Sequence, residues 1–446
     1  MREPIQDQRR RRRTGVMAIL VLVTALSAVP SPADEWPQWG GPRRDLIWRE
    51  SGVLADKLPE PGPAGMLPRV WSTPLGEGYA GPAVANGRVF VMDRQQERGT
   101  ERVVCLDAET GQEQWVHEYE VRYEVSYPAG PRSTPVIDEG RVYTIGAMGH
   151  MFCLDEQTGK VRWQKNFVED YSTPIPTWGM VASPLVNGQQ LITLVGGQDG
   201  ALVVSFDKTT GKELWRALDD PQVGYSPPMI FTLGGRRQLI VWHPEAVSSL
   251  DPASGQRLWQ VPYRVHSGLA VPAPRQQGDR LFVTSFYNGP RMIEVGRGGT
   301  SARIVWQGHS DSEIKTDGLH SIIPTPVWEG DSIYGVCSYG QLRCLDAKTG
   351  ERIWETFEAT GNDRWWNAFL IRYEPIADRY FLHNEQGDLI IANLTPDGYE
   401  ELDRAKLIKP TRPVNRRMTI WSHPAFAMKS VFARNDEEIV RVSLAE

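Results

Sequence analysis

Apolar and polar residues alternate in short runs along most of the chain, and Gly, Asp, Asn or Pro closes most runs. Residues 135–163 show the pattern most clearly. Pro135-Val136-Ile137 begins one strand, and Arg141-Val142-Tyr143-Thr144-Ile145 alternates as a second. Gly149 turns the chain into His150-Met151-Phe152-Cys153-Leu154, a third strand. Asp155 to Gly159 forms a hairpin loop, and Val161-Arg162-Trp163 is the fourth strand. Short strands joined by tight turns, without helical periodicity between them, predict an all-β protein.

The unit recurs. Cys105-Leu106-Asp107-Ala108-Glu109-Thr110-Gly111 leads to Trp115, and Cys153-Leu154-Asp155-Glu156-Gln157-Thr158-Gly159 leads to Trp163. Phe206-Asp207-Lys208-Thr209-Thr210-Gly211 leads to Trp215, and Leu250-Asp251-Pro252-Ala253-Ser254-Gly255 leads to Trp259. Cys344-Leu345-Asp346-Ala347-Lys348-Thr349-Gly350 leads to Trp354, while Trp306 keeps the Trp but loses the turn. Successive Trp are 48, 52, 44, 47 and 48 residues apart, the span of one four-stranded propeller blade. Two weaker units follow, one from Asn367 through Asp388-Leu389-Ile390-Ile391-Ala392 and one from Trp421 onward.

The last unit offers three strands, and Arg69-Val70-Trp71-Ser72 supplies a fourth with Trp71 in the repeat position. That pairing closes the ring and removes its open edges. The predicted fold class is an all-β, eight-bladed β-propeller of four-stranded antiparallel blades, closed by an N-terminal strand. Blades are expected at about 80–118, 132–168, 182–218, 225–263, 270–308, 322–358, 366–408, and 420–444 joined to 69–74.

The motif has a physical reading. The Asp carboxylate accepts hydrogen bonds from the backbone N–H groups that follow it. Gly supplies the left-handed backbone angle that closes the hairpin. The Trp covers apolar surface where neighbouring blades meet, a structural duty.

The chain start differs in kind. Arg9 to Arg13 are basic, Val16 to Val29 is an apolar run, and Ser31-Pro32-Ala33 has the form of a cleavage site. Residues 1–33 are therefore expected to be a signal peptide, 34–68 a leader segment, and 69–446 the propeller. The protein is expected to be exported, to the periplasm or cell envelope, with an uncleaved anchor as its sole membrane contact. Removing 1–33 takes away six arginines and two acids, so the formal charge of −6 becomes −10. An acidic body argues against nucleic acid as a partner. Cys105, Cys153, Cys337 and Cys344 are expected to be buried, unpaired thiols, because equivalent positions in different blades lie far apart.

The Asp-x-x-Thr-Gly-x-x-x-Trp repeat resembles that of the pyrroloquinoline-quinone-type propellers. That family includes quinoprotein alcohol dehydrogenases and the lipoprotein propeller of the outer-membrane barrel-assembly machine. The resemblance covers nearly the whole chain after residue 33, and Trp36-Pro37-Gln38-Trp39-Gly40-Gly41-Pro42 also resembles the start of exported propellers of this type. It speaks to fold more than function, because the motif packs blades. The quinone enzymes' adjacent cysteine pair is absent, and no local motif matches their catalytic Asp or metal ligands.

Propellers bind ligands at the mouth of the central channel, in the loops that lead into the inner strands. Here those loops carry Tyr79, Arg132, Trp178, Tyr225, His266, His320, Trp365, Trp366, Trp421 and His423. Two readings stand: the rings pack the inner rim, or they form a binding surface for a protein partner or small ligand. His266, His320 and His423 lack close ligand spacing, so no metal site is predicted. Gly196-Gly197-Gln198-Asp199-Gly200 has no helix after it and reads as a turn, not a phosphate loop. No catalytic residue and no cofactor are predicted. The expectation is a monomeric, non-catalytic interaction scaffold of the cell envelope. The alternatives are an oxidoreductase using a metal or pyrroloquinoline quinone with calcium, and a carbohydrate-binding propeller.

Overall fold

In each unit the alternating runs zip into an antiparallel sheet, because every short strand is joined to the next by a hairpin. The computed structural model describes residues 1, 35–220 and 222–446, so the expected signal peptide lies, apart from Met1, outside the described residues. The first blade comprises Ala83–Ala85, Arg88–Gln95, Thr100–Asp107 and Glu113–Glu120. Six further sheets, each built on four successive strands, follow in sequence order through Gly398–Lys406. The eighth blade consists of Ala425–Ala427, Ser430–Arg434 and Glu438–Ser443, with Arg69–Pro74 as its outermost strand. The eight-bladed, N-terminally closed ring is therefore as the sequence implied. Ser72 pairs with Val440 and Trp71 with Arg441 across the closing seam.

The motif loops behave as their chemistry requires. Asp107 Oδ1 accepts from the backbone N–H of Thr110 at 2.8 Å and from its hydroxyl at 2.9 Å. Asp155 and Asp207 repeat both bonds with Thr158 and Thr210. The motif glycines are needed twice over. Gly159 sits at φ +68°, and a Cβ there would lie 2.5 Å from the Trp115 ring of the preceding blade.

That Trp is the clasp between blades. Trp115 Nε1 donates to the Glu156 carbonyl in the next motif loop at 2.9 Å. Trp163, Trp215 and Trp306 donate likewise to Lys208, Pro252 and Ala347. Trp71 closes the circle by donating to Ala108 of the first blade at 2.9 Å. Trp259 faces blade five, which lacks the motif turn, and its N–H bonds instead to Gln238 of its own blade at 2.7 Å. A β-bulge just ahead of each Trp, as between Val161 and Trp163, tilts the outer strand toward the neighbour. All four cysteines are buried and unpaired.

The segment after residue 34 is woven into the ring. Trp36 exchanges backbone hydrogen bonds with Val84 of blade one, and Pro37 accepts from Ile137 of blade two. Gly40 and Gly41, both at positive φ, turn the chain. Arg44 then donates to the carbonyls of Ser183 and Pro184 in front of blade three's inner strand. Arg275 of blade five holds the Arg44 and Asp45 carbonyls from the other side. Ile47–Trp48 finally adds a parallel fifth strand to blade seven. Contacts with inner strands all round the ring mean that this segment crosses the channel. Its contacts at Asn86, just past Ala83–Ala85, and at Tyr373, the last residue of Ala368–Tyr373, put its two ends opposite the mouth.

Replacing Trp71 by Ala should lower the stability of the whole ring by about 3 kcal/mol or more, the usual cost of emptying a buried Trp site. Chemical denaturation should show an earlier unfolding midpoint for this variant, whereas exposed Ile314→Ala should leave it in place.

Candidate functional site

Above the crossing segment the channel is a blind cup of about 180 Å³. Its wall is built from the loops that precede the inner strands. Tyr79, Arg132, Trp178, Tyr225, Trp365, Trp421 and His423 all line it, joined by Tyr127 and by Trp39 from the crossing segment. The aliphatic side chains of Val181, Leu269, Val271, Ile322 and Ile323, with Pro227 and the hydroxyl residues Ser183 and Thr325, complete the lining. The structure thus brings most of the sequence-selected residues to one cavity.

The rings form two groups. On one wall Tyr79 stacks on Trp421 with centroids 6.3 Å apart, and Tyr127 contacts both Trp421 and Trp365. Elsewhere on the wall Trp178 meets Tyr225 edge-on at 5.6 Å. Tyr127 and Trp365 have φ of +53° and +69°, a backbone region costly for residues other than glycine. The loops accept that cost and still carry these rings into the cup.

Charge is sparse. No Asp or Glu lines the cup, and Arg132 is its one ordinarily cationic residue. Arg132 lies over the Tyr79 ring at 5.0 Å and donates to the carbonyls of Ser126 and Tyr127. Burial lowers its pKa, though a guanidinium stays charged. Arg412, on the hairpin between blades seven and eight, covers Tyr79 at 5.3 Å but is neutralised by Asp436. His423 packs on Phe369 at 4.1 Å, and its Nε2 accepts from Trp39 Nε1 at 3.4 Å. Burial, with a smaller push from His383, drives its pKa down to about 3, so the ring is neutral.

Three sequence-selected residues stand elsewhere and need correction as lining residues. His266 is exposed and packs edge-on against Tyr287. His320 is fully buried, bonded to the Phe286 carbonyl and facing Asp317. Trp366 packs over Gly340 and Gly361, whose missing side chains make room for it. Conversely, sequence reading missed Tyr127 and Trp39. Tyr127 stands beside Pro128 in the loop that carries Arg132, and Trp39 belongs to the Trp36–Pro42 motif, so both are visible as aromatics with no assigned position. The aliphatic lining carried no signal, because it reads as ordinary core. Among the described residues no group of three or more His, Cys, Asp or Glu is placed to hold a metal ion.

A model of the family described as outer membrane protein assembly factor BamB matches residues 68–123, 99–356 and 263–440. Among curated proteins, the chain is 26% identical over 290 residues to the serine/threonine-protein kinase AfsK of Streptomyces griseus. That match covers 61% of this chain and only 29% of the kinase's length. Among solved structures, BamB from Moraxella catarrhalis superposes with a TM-score of 0.56 at 16% identity, covering 85% of this chain and 98% of that one. The quinohemoprotein alcohol dehydrogenase of Comamonas testosteroni gives a TM-score of 0.61 at 12% identity, covering 92% and 80%. At such identities the two structures share the fold alone with this chain.

The low pKa of His423 makes the site acid-sensitive. The unfolded chain takes up a proton near the ordinary histidine value of 6.5, and the folded chain resists it down to about 3. The stabilising contribution is complete above pH 6.5 and declines as pH falls below it. Thermal unfolding followed between pH 7 and 5 should show a shallower loss of Tm for His423→Gln than for the parent.

Proposed function

From a chain that belongs to the family of outer membrane protein assembly factor BamB, we propose an exported, non-catalytic interaction propeller that seats a segment of a partner protein in its aromatic cup. The observation that carries this reading is the cup itself: open at one face, blind at the other, and lined almost wholly by aromatic and aliphatic groups. Rigid aromatic rings bury large area at little conformational cost, which is the composition of interface hot spots. Placement in the cell envelope rests on the basic and apolar chain start and on the family.

The quinone-dependent reading draws on the dehydrogenase-like fold, and the cup does not fit it. A calcium ion needs oxygen ligands, above all carboxylates, and the lining has none. Pyrroloquinoline quinone carries several carboxylates, and Arg132 alone would face them. A carbohydrate ligand would require amide and carboxylate side chains for its hydroxyls, and the cup offers rings with few such partners.

Photo-crosslinking tests the proposal. A photoreactive residue placed at Ile322, in the wall, should capture partner polypeptide in the envelope. One at Ile353, exposed on an outer strand, should not. Trp421→Ala should reduce capture at 322 several-fold. Equal capture from both positions would sink the cup as the contact surface, and quenching of tryptophan fluorescence by pyrroloquinoline quinone with calcium would favour the enzyme reading instead.

A further inference from the structure

The rim between blades one and two is held by side chains more than by backbone. Val121 N–H donates to the Gly99 carbonyl, and the Pro131 carbonyl accepts from Tyr79 and Ala80, so both ends of the connection are pinned. Between those pins the backbone makes one bond to the rest of the ring, from Ser126 N–H to the Thr177 carbonyl at 2.8 Å. A second bond, from Ala129 to Tyr127, stays within the segment. Side chains supply the other ties. Tyr123 Oη donates to Glu101, and Arg94 lies over the Tyr123 ring at 4.0 Å. Arg94 also donates to the Pro128 carbonyl, and Arg132 donates to those of Ser126 and Tyr127. Every second residue from Arg122 to Pro128 is exposed. A segment with few backbone bonds and so much contact with water opens at low local free energy.

Tyr127 gives this segment its reach. It belongs to the entry of blade two, yet its ring touches Trp365 and Trp421, at the entries of blades seven and eight. The ring therefore extends past blade one across part of the opening. Its φ of +53° is a strained position for a residue with a side chain, and a change of backbone conformation relieves that strain. The cup beneath measures about 180 Å³, whereas ligand pockets commonly run from about 300 to 1,000 Å³. A partner segment needs more room than the cup now offers.

The deepest tie is to a buried carboxylate. Glu101 is fully buried in blade one and accepts from Tyr119 Oη, Tyr123 Oη and the Ala147 N–H. Tyr119 and Ala147 belong to the body of blades one and two. Tyr123 alone connects this carboxylate to the segment at the mouth.

We propose that residues 122–129 form a lid, closed in this structure and latched by Tyr123 on Glu101, and that the cup fills when the lid swings out on its two pinned ends. The lid regulates the partner seat and rests on that reading of the cup.

Trypsin cleavage after the exposed Arg122 reports lid opening without any partner. Tyr123→Phe keeps the ring under Arg94 and removes only the latch, so cleavage should quicken about tenfold. Tyr119→Phe takes an equivalent bond from Glu101 but leaves the lid untouched, and its cleavage should match the parent. Equal acceleration in both variants would make Glu101 a structural anchor of blade one and overturn the latch. Gating is tested by Ser126→Cys combined with Thr177→Cys, which sets a disulfide across the Ser126–Thr177 bond and locks the lid. Circular dichroism melts confirm that each variant folds. The oxidised protein should take up the apolar dye Nile red several-fold more slowly than the reduced one, and Trp421→Ala should abolish uptake. One rate in both redox states, or no uptake by the reduced protein, would overturn the lid. Slowed uptake in the locked protein, with no partner captured at position 322 of the unlocked one, would leave the lid standing and remove the partner seat.

Discussion

The structure depends on one contact repeated around a ring: a Trp on the outer strand of one blade lying across the motif glycine of the next. Each clasp combines a large apolar overlap with a hydrogen bond from the indole N–H to a loop carbonyl, as in Trp115 to Glu156 at 2.9 Å. Neither partner works alone. The Asp and Thr hold the loop in shape, and the glycine both adopts the left-handed angle and leaves room for the ring. Because the seam at Trp71 uses the same clasp as the internal joints, the first and last segments of the propeller are tied as firmly as any neighbours.

That ring fixes where chemistry can happen. Outer and middle strands spend their side chains on blade packing, and the inner strands converge on an axis. The segment from Trp36 to Trp48 blocks one end of that axis, using backbone pairing on three blades and two buried arginines whose partners are carbonyls. Burial lowers the pKa of Arg44 to about 9 and of Arg275 to about 10. A plug and a ring of aromatic loops together turn a channel into a cup. The same loops that close the blades therefore set the depth, the apolar character and the lone cation of the candidate site.

The cup also explains why fold similarity stops short of function here. BamB and quinohemoprotein alcohol dehydrogenases both superpose on this chain, since the clasp and blade geometry are common to the architecture. What separates the readings is the chemistry of the mouth. Carboxylates that would hold a metal are missing from the lining, and aromatic and aliphatic groups stand in their place.

The sequence alone determined the blade number, the strand order and the closing strand, because the clasp is written locally in a run of nine residues and repeats at a fixed period. It also picked out seven of the cup residues, since any loop entering an inner strand must arrive at the same mouth. Tertiary structure decided which of those rings face the cavity. Trp365 and Trp366 are adjacent, yet a left-handed turn sends the first into the cup while two glycines receive the second. His320 is drawn beneath the rim by a carbonyl contributed from 34 residues away. The plug, Trp39 at the cup and the aliphatic lining depend on contacts between segments far apart in the chain, and no local pattern of residues encodes them.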